Sequence, residues 1–404
     1  MSNAKTSNIE SRAITPAQRV SRVEEYYFSR KLREVADMNA RGLDVISLGI
    51  GGPDLPPAGE VIETLCAEAH NPANHSYQSY TGIPELRNAF AGWYERYYGV
   101  ALDPSREILP LIGSKEGIMH ITMAFVNPGD SVLVPNPGYP TYSSVSRLAG
   151  ADLITYDLNP EKGWQPDFES LEKLDAVKEG KVKLMWINYP NMPTGAPASR
   201  ELFERAVDFG RRHGIVIVND NPYSFILKPE GSKPLSILSV EGAREVCIEM
   251  NSLSKSHNMA GWRLAMLASN PEFVGWILRV KSNIDSGQFR PVMLAAAKAL
   301  SLGDEWYSRL NAVYARRREV AEEIMNELGC RFDKSQRGLF LWGRIPENEK
   351  SSESLADRLL YDCRVFVTPG FIFGSGGERY IRISLCATEH NLRRALERIK
   401  GNND

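Results

Sequence analysis

The chain has 404 residues, of which 43% are hydrophobic and 24% are charged, a balance typical of a globular protein with one large core or two domains. Its formal net charge of −2 gives no general attraction for nucleic acid or an anionic membrane surface, so neither is expected as a partner. No apolar run approaches the roughly 20 residues that a membrane span requires, and the polar N-terminus lacks a signal-peptide core, which predicts a cytoplasmic protein.

The cysteines and histidines carry little functional information. The five cysteines are odd in number and far apart, and none forms a Cys-x-x-Cys pair, which predicts reduced thiols and neither a disulfide framework nor a zinc site. The six histidines are equally scattered, so no metal site is expected. His257 lies near a candidate reactive lysine, but a lone histidine is more often structural.

The N-terminal part is predicted to form a helix and then a glycine-rich turn. Apolar side chains recur every three to five positions over residues 16–41, as in an amphipathic helix. The glycines Gly49 and Gly51 then resemble a dinucleotide-binding loop, but the third glycine is missing and prolines follow in place of a helix. We therefore reject a dinucleotide site and expect these glycines to let the backbone approach a small ligand.

The middle of the chain alternates between apolar strands and helices. This pattern predicts a largely parallel sheet covered by helices on both faces. One helix is expected to begin after Ser199 and to end at Gly214. Ser114 follows a strand and opens another helix, either as an anion-binding residue or as a plain N-cap. The predicted strands are 108–112, 131–135, 152–157, 182–187, 215–218, 245–250 and 264–268.

Polar residues fall near the ends of these strands. In parallel sheets ligands bind beyond the carboxyl ends of the strands. Four candidate residues lie near a strand end or in the loop after one: Tyr139, Asn191, Asp220 and Lys255. Their common position predicts a ligand site at this edge of the sheet.

The C-terminal part is predicted to form a second, smaller lobe. Long helices are expected over 271–300 and 304–328, followed by a shorter α/β region that contains the strand with Arg382. We therefore expect an N-terminal segment, 1–50, that packs with the small domain, a large domain at 51–290, and a small domain at 291–404.

Lys255 has the surroundings of a reactive amine. It stands between hydroxyl-bearing and small residues, and Arg263 follows eight positions later. A partly desolvated amine near another cation loses its proton more easily and can form a Schiff base with an aldehyde. Taken alone, such a short motif is more often a solvated turn between two strands. A cofactor site formed by other parts of the chain decides between the two.

The other candidate residues fit one cofactor, pyridoxal 5′-phosphate. Asp220 can keep a pyridine nitrogen protonated and so make the ring an electron sink. Tyr139 can stack on the ring, and Arg382 can hold a carboxylate through two hydrogen bonds. Alone, Asp220 fits an ordinary loop carboxylate and Arg382 a surface ion pair. The residues that can hold a phosphate are Ser114, Lys115, Ser252 and Arg263.

The chain resembles the fold-type I pyridoxal-phosphate aminotransferases of class I and II over nearly its whole length. This resemblance implies an α/β fold: a large domain with a mostly parallel seven-stranded sheet covered by helices, and a smaller α+β lobe formed by both chain ends. It also implies a homodimer with shared active sites. The motifs that carry it are Ser252-x-Ser254-Lys255, Gly261-Trp262-Arg263, Asp220-x-x-Tyr223, Pro193-Thr194-Gly195, and Tyr77 five residues before Gly82.

The resemblance also implies a role for each matching residue. Lys255 forms the Schiff base and moves protons, Asp220 partners the pyridine nitrogen, and Tyr223 donates to the phenolic oxygen of the ring. Gly51 and Arg382 frame the α-carboxylate of the substrate. The phosphate is surrounded by Ser114, Lys115, Ser252 and Arg263, with Tyr77 reaching it from the neighbouring subunit.

One position departs from the family pattern. The family usually has an asparagine immediately before Pro-Thr-Gly that hydrogen-bonds the same ring oxygen as the tyrosine, whereas this chain has Met192. A thioether cannot donate a hydrogen bond. Either Asn188 or Asn191 replaces the missing donor, or Tyr223 acts alone and the pKa of the Schiff base is altered.

Within the family, the segments 113–118, 136–140 and 285–289 look most like LL-diaminopimelate aminotransferases and close relatives. Arg290 is either a ligand for a distal carboxylate or an ordinary surface residue. The sequence names neither the amino donor nor the 2-oxo acid.

These observations predict an enzyme that exchanges the amino group of an L-amino acid with a 2-oxo acid. A carbon–sulfur β-lyase with the same cofactor is the alternative. A third hypothesis, the effector domain of a transcription regulator, is disfavoured because such regulators carry a DNA-binding domain ahead of this fold, and fewer than 50 residues precede Gly49.

Overall fold

The computed structural model describes residues 14–21, 23 and 27–401. The helices are α1 Gln18–Ser21, α2 Tyr27–Ala40, α3 Gly59–Ala69, α4 Pro84–Tyr98, α5 Ser114–Phe125, α6 Pro140–Leu148, α7 Phe168–Leu171, α8 Asp175–Lys178, α9 Arg200–His213, α10 Ala243–Val246, α11 Leu253–Ser256, α12 Pro271–Lys281, α13 Arg290–Leu300, α14 Asp304–Glu327, α15 Ser352–Tyr361 and α16 Glu389–Lys400. The strands are β1 Ile46–Ser47, β2 Ile108–Leu111, β3 Ser131–Asn136, β4 Asp152–Asp157, β5 Val182–Ile187, β6 Val216–Asp220, β7 Cys247–Ser252, β8 Ala265–Ala268, β9 Arg331–Phe332, β10 Phe340–Arg344, β11 Val365–Phe366, β12 Thr368–Pro369 and β13 Tyr380–Ser384.

A seven-stranded sheet forms the centre of the larger unit. Its strand order is β2-β8-β7-β6-β5-β3-β4. Strand β8 runs antiparallel to both of its neighbours, and the other pairs are parallel. The central strands are buried along their whole length, as expected where helices cover both faces, and their polar residues lie mainly toward the carboxyl ends. The predicted mostly parallel sheet is therefore confirmed.

Helix α9 shows how local sequence sets the element boundaries. The hydroxyl of Ser199 accepts a hydrogen bond from the backbone N–H of Leu202 and caps the first turn. Gly214 follows the last turn with φ of 64°, a left-handed conformation that glycine adopts without steric cost. Both ends lie where the sequence predicts them.

A smaller unit combines segments from both parts of the chain. Strands β12, β13, β10 and β9 form an antiparallel four-stranded sheet. Strand β1 pairs in parallel with β11, so that residues 46–47 join the C-terminal elements. Arg382 lies in the middle of β13, opposite Trp342 on β10 and Thr368 on β12.

Two helical predictions need correction. The helix predicted over 271–300 is interrupted between α12 and α13, in a segment where Gly287 takes φ of 85° and a β-carbon would lie 2.8 and 3.0 Å from the backbone oxygens of residues 78 and 79. The helix predicted over 16–41 lies partly outside the described residues, and within them the chain forms α1 and α2.

The domain boundary at residue 290 stays a prediction, and hydrophobic packing continues across it. Helix α13 packs against α3 and α4 of the larger unit, and its buried Met293 belongs to that core. The change of core occurs within α14, between Tyr307 and Leu310. In the described segments no helix is long and apolar enough to cross a membrane.

Candidate active site

A cavity of about 400 Å³ lies at the carboxyl ends of the parallel strands and reaches β13 of the smaller unit. The edge position is the one expected for a ligand site in a parallel sheet. The sequence-predicted residues that line it are Gly51, Ser114, Lys115, Tyr139, Asp220, Tyr223, Ser252, Lys255, Arg263 and Arg382.

Lys255 lies in α11, directly after β7. Ser252 begins this short helix, because its hydroxyl accepts from the backbone N–H of Ser254 at 3.1 Å. The amine of Lys255 donates to the backbone oxygen of Gly51 at 2.6 Å. Burial lowers the pKa of Lys255, and the positive charges of Arg382 and Arg263 act in the same direction. The amine is therefore prepared to act in its neutral form.

Asp220 is the last residue of β6 and is 5% exposed. Its Oδ2 accepts from the hydroxyl of Tyr142 at 2.9 Å, whereas its Oδ1 has no hydrogen-bond partner among the described residues. Burial raises the pKa of Asp220 to about 6, against the opposing effects of Tyr142 and the charge of Lys255. Buried carboxylate oxygens are seldom left unpaired, so this oxygen indicates a ligand that donates a hydrogen bond to it.

The start of helix α5 lines one end of the cavity. Gly113 has φ of 80°, and a β-carbon there would lie 2.0 Å from Nη2 of Arg263, so a glycine is required. Gly113 stands at the N-cap position and Ser114 is the first helical residue, so Ser114 is not the N-cap. The Ser114 hydroxyl is buried without a partner in the described chain. A helix N-terminus, an unpaired hydroxyl and a guanidinium together suit a phosphate.

Arg382 forms the opposite end of the cavity and is 4% exposed. Its Nη2 donates to the backbone oxygen of Gly49 at 3.0 Å, and its Nη1 lies 3.2 Å from the sulfur of Met192. Its guanidinium carbon lies 3.8 Å from the ring centre of Phe340. A β-carbon at Gly51 would lie 2.4 Å from that ring, which explains the glycine.

The asparagines near Met192 differ in position. Asn188 lines the cavity, donates to the backbone oxygen of Asp220, and accepts from the backbone N–H of Met192 at 2.8 Å. Asn191 does not line the cavity, because its side-chain oxygen accepts from the backbone and hydroxyl of Thr194 at 3.2 and 2.7 Å. Asn188 is therefore the better placed of the two to replace the missing donor.

Two other candidates lie away from the cavity. Tyr77 is 90% exposed. Arg290 pairs with Glu85 at 2.6 Å. Sequence reasoning missed several residues that do line the cavity, notably Tyr142, three residues after Tyr139 along α6, and the apolar Phe28, Leu32 and Ile50.

A second set of polar side chains connects α5 with the end of α12. We call it the Lys281 cluster, and its members are Glu116, His120, Lys281 and Asp285. Glu116 accepts from the backbone N–H of Ile112 at 2.6 Å and contacts His120 at 2.7 Å. The ammonium of Lys281 contacts both carboxylates and is almost fully buried. Ligand atoms of Glu116, His120 and Asp285 lie within 4.8 Å of one another, as a metal site would require, but Lys281 already provides the cation.

Comparisons with known proteins agree with this geometry. The family model for aminotransferase class I and II matches residues 43–399. A protein named LL-diaminopimelate aminotransferase from Oleidesulfovibrio alaskensis is 43% identical over 388 residues, covering 95% of this chain and 98% of its own length. Another of that name, from Desulforudis audaxviator, is 44% identical over 385 residues, with 95% and 97% covered.

Solved structures give the same result. The substrate-bound structure of BacF from Bacillus subtilis has a TM-score of 0.90 and 36% identity, covering 97% of this chain and 98% of that one. A Thermus thermophilus aspartate aminotransferase variant has a TM-score of 0.88 and 25% identity, with 96% and 100% covered.

The chain belongs to the aminotransferase class I and II family. It is an aminotransferase that depends on pyridoxal 5′-phosphate, and it transfers the amino group of an L-amino acid to a 2-oxo acid. The cavity fits this cofactor, because Asp220 with its unpaired oxygen, Ser114 with its unpaired hydroxyl and Lys255 with its amine all line it.

Proposed function

We propose that amino-group transfer takes place in this cavity, with Lys255 as the covalent anchor of the cofactor and the base of the reaction. The observation that carries the proposal is the shared position of the Lys255 amine and the unpaired Oδ1 of Asp220, between an anion-binding helix start and Arg382. These are the groups that a phosphorylated pyridine aldehyde and an α-amino acid require.

The positions of the lining residues support a role for each in cofactor binding. Asp220 holds the protonated ring nitrogen, and that positive charge keeps its buried carboxylate ionised. Ser114, Ser252, Lys115 and Arg263 bind the phosphate, while Tyr139 packs on the ring and Tyr223 donates to the ring oxygen. When bound, the cofactor supplies an electron sink that makes the α-proton of the amino acid removable.

Lys255 moves the proton. Its lowered pKa favours the neutral amine that is needed first as a nucleophile and then as a base toward the α-carbon of the substrate. The hydrogen bond to the backbone oxygen of Gly51 fixes the direction of its side chain. A base held in position acts without a search through other rotamers.

Arg382 binds the α-carboxylate of the substrate. Its Nη1 faces the sulfur of Met192, and a thioether is a weak acceptor. A carboxylate is a far stronger acceptor for a guanidinium, so the substrate replaces the sulfur contact at little cost. Gly51, whose backbone lies between Arg382 and Lys255, frames the same carboxylate.

We also propose that the protein is a homodimer with shared sites, in the cytoplasm. Tyr77 is 90% exposed in a loop that lies against Gly287. A large exposed aromatic side chain is typical of an interface. The phenol is expected to reach the phosphate of the neighbouring site, and its loss would weaken cofactor binding in a mixed dimer.

The similarity to proteins named LL-diaminopimelate aminotransferase makes that diamino dicarboxylic acid a candidate donor. A half-reaction screen tests the function: the cofactor-loaded protein is mixed with single amino acids and the cofactor absorbance is followed, with Lys255→Ala as the control. Absorbance change in the wild type alone supports the proposal, and its absence with every amino acid contradicts it. Cystathionine without a 2-oxo acid tests the β-lyase alternative, because a lyase releases a thiol and pyruvate.

A further inference from the structure

The chain passes from the smaller unit to the larger one in residues 49–56, which we call the crossing segment, and it returns within α14. Leu55 packs on the core of the smaller unit, whereas Val61 belongs to the core of the larger one. At the end of the segment, the side chain of Asn258 in the larger unit donates to the backbone oxygen of Pro56 at 3.1 Å. The position of the crossing segment therefore depends on contacts from both units.

Two backbone oxygens of the crossing segment hold charged side chains of the cavity. The amine of Lys255 donates to the backbone oxygen of Gly51 at 2.6 Å. The Nη2 of Arg382 donates to the backbone oxygen of Gly49 at 3.0 Å. Hydrogen bonds weaken steeply when they are misaligned, so a displacement of the crossing segment would change the direction of both side chains.

A buried ion pair links the crossing segment to α14. Arg317 of α14 is 4% exposed, and its Nη1 and Nη2 donate to the two carboxylate oxygens of Asp54 at 2.7 and 2.8 Å. Its Nη1 also donates to the backbone oxygen of Leu385, which directly follows β13, at 3.0 Å. A guanidinium fits both oxygens of a carboxylate at once, which the ammonium group of a lysine cannot do. The pair therefore fixes α14, the crossing segment and the end of β13 relative to one another.

The pair lies outside the cavity but close to the reactive amine. Neither Asp54 nor Arg317 lines the cavity within the described chain. Burial raises the pKa of the Cys386 thiol, and the charges of Lys255 and Arg317 both oppose that rise, so the amine and the guanidinium act on one thiol. Asp54 stands three residues after Gly51. A change in the pair is therefore expected to reach the amine through the backbone of the crossing segment.

We propose that Asp54 and Arg317 are positioning residues for the reaction. Their ion pair holds the backbone oxygen of Gly51 at the place from which it directs the amine of Lys255. This inference rests on the proposed function, because the position of the amine matters only if Lys255 bonds to the cofactor. A small displacement of a reacting group can slow a reaction by about 10-fold or more.

The test uses the cofactor-free protein and pyridoxal 5′-phosphate, without any amino acid. The nitrogen of Lys255 bonds to the aldehyde carbon and one water is released, and rapid-mixing absorbance follows this step over a series of cofactor concentrations. Arg317→Lys keeps the positive charge and removes the two-fold hydrogen bonding. The limiting rate constant is expected to fall by about 10-fold. The cofactor concentration that gives half of this rate should stay nearly constant, because the proposed phosphate-binding residues are unchanged.

The matched control is Arg318→Lys, at the next position of α14. Arg318 also joins separate segments, because it donates to Glu322 at 2.8 Å and to the backbone oxygen of Lys334 at 2.9 Å. Its hydrogen-bond partners in the described chain all lie outside the crossing segment. Both variants are expected to unfold at lower urea concentration than the wild type, but Arg318→Lys should keep the limiting rate constant. Equal slowing in both variants, or none in Arg317→Lys, overturns the inference and leaves the proposed function intact. A wild type that forms no adduct at Lys255 overturns both.

Asp54→Asn tests the pair from its other side. The substitution is milder, because the amide oxygen still accepts one of the two hydrogen bonds. Asp54→Asn alone should slow the step less than Arg317→Lys does, and the double variant should be no slower than Arg317→Lys, because the effects of two groups that act as a pair are not additive. Effects that multiply in the double variant contradict the proposal. If Arg317→Lys does not fold, an unchanged limiting rate constant in Asp54→Asn contradicts it as well.

Discussion

The carboxylate of Asp220 at the cavity wall and the carboxylates of the Lys281 cluster differ in how their hydrogen bonds are satisfied. Asp220 leaves one carboxylate oxygen unpaired at the cavity wall. In the Lys281 cluster, the ammonium of Lys281 contacts both Glu116 and Asp285, and Glu116 also holds the backbone N–H of Ile112. Asp220 thus keeps an oxygen available for a ligand, whereas both carboxylates of the Lys281 cluster are paired within the chain and only the Nδ1 of His120 is left without a partner among the described residues.

This difference supports the proposal that Asp220 takes part in the reaction and that the Lys281 cluster stabilises the fold. Burial raises the pKa of Asp220 to about 6, so its charge is unfavourable until a cation arrives. The pKa of Asp285 is lowered despite its burial, because Lys281 and the backbone N–H of Gly287 stabilise the charged form. Changes in the two regions are therefore expected to affect different measurements.

The largest expected effect is that of Asp220→Asn on catalysis. The amide keeps the shape but cannot hold the ring nitrogen protonated, so the half-reaction should slow by about 10³-fold or more. Rapid-mixing absorbance measures this rate with the cofactor-loaded variant. A loss of less than tenfold would mean that the carboxylate does not serve the ring.

Lys281→Met should instead affect stability. Removing the ammonium leaves two partly buried carboxylates without a counter-charge. The expected loss is about 3 kcal/mol, the lower end of the range for broken buried ion pairs, because Asp285 and Glu116 are partly exposed. Urea unfolding of the cofactor-free protein measures the change. The control is Lys298→Met, whose pair with Glu60 at 2.6 Å is exposed on both sides and should contribute about 0–1 kcal/mol. Equal effects of the two substitutions would remove the distinction.

Removing the charge of Asp220 should stabilise the cofactor-free protein in a pH-dependent way, in contrast to the loss of stability expected for Lys281→Met. The pKa of Asp220 in the folded protein is about 6, above the ordinary 3.8. Below pH 4 the carboxyl group is protonated in both the folded and the unfolded chain, so its burial costs no stability. The cost to folding stability develops as the pH rises through 6. Without cofactor, Asp220→Asn should therefore be more stable than the wild type at pH 8, by roughly 3 kcal/mol at most. The two proteins should be nearly equal at pH 4. A variant that is less stable at pH 8 would show that the charge is already compensated.

The smallest expected effect concerns Met192→Asn. A new donor near the ring oxygen stabilises negative charge there, so the absorbance of the bound cofactor should titrate at a lower pH, by about one unit or less. A pH titration followed by absorbance measures this. An unchanged midpoint would mean that Asn188, which lines the cavity, already supplies the donor.

Chain order is sufficient to predict that several of the proposed cofactor-binding residues lie together at one cavity. Asp220 and Lys255 follow neighbouring strands of a parallel sheet, and such strands end at one edge. Asn191 is predicted as a ligand but lies outside the cavity, because the turn at Thr194 takes up its side chain. No sequence pattern distinguishes it from Asn188.

The substrate end and the Lys281 cluster depend on contacts between distant segments. Phe28 and Leu32 line the same cavity as Ile50, and they belong to α2, which packs on Leu360 and Phe366 of the smaller unit. Glu116 and Lys281 are 165 residues apart, and neither has a sequence motif that indicates the other. The break at Gly287 similarly depends on the loop that approaches it.

The most direct test of the central claim is borohydride reduction of the protein loaded with pyridoxal 5′-phosphate, followed by peptide mass spectrometry. If Lys255 anchors the cofactor, the reduced adduct will be found on the peptide that contains Lys255, and Lys255→Ala will show none. Labelling of another lysine in the wild type, or no labelling near neutral pH, would contradict the account.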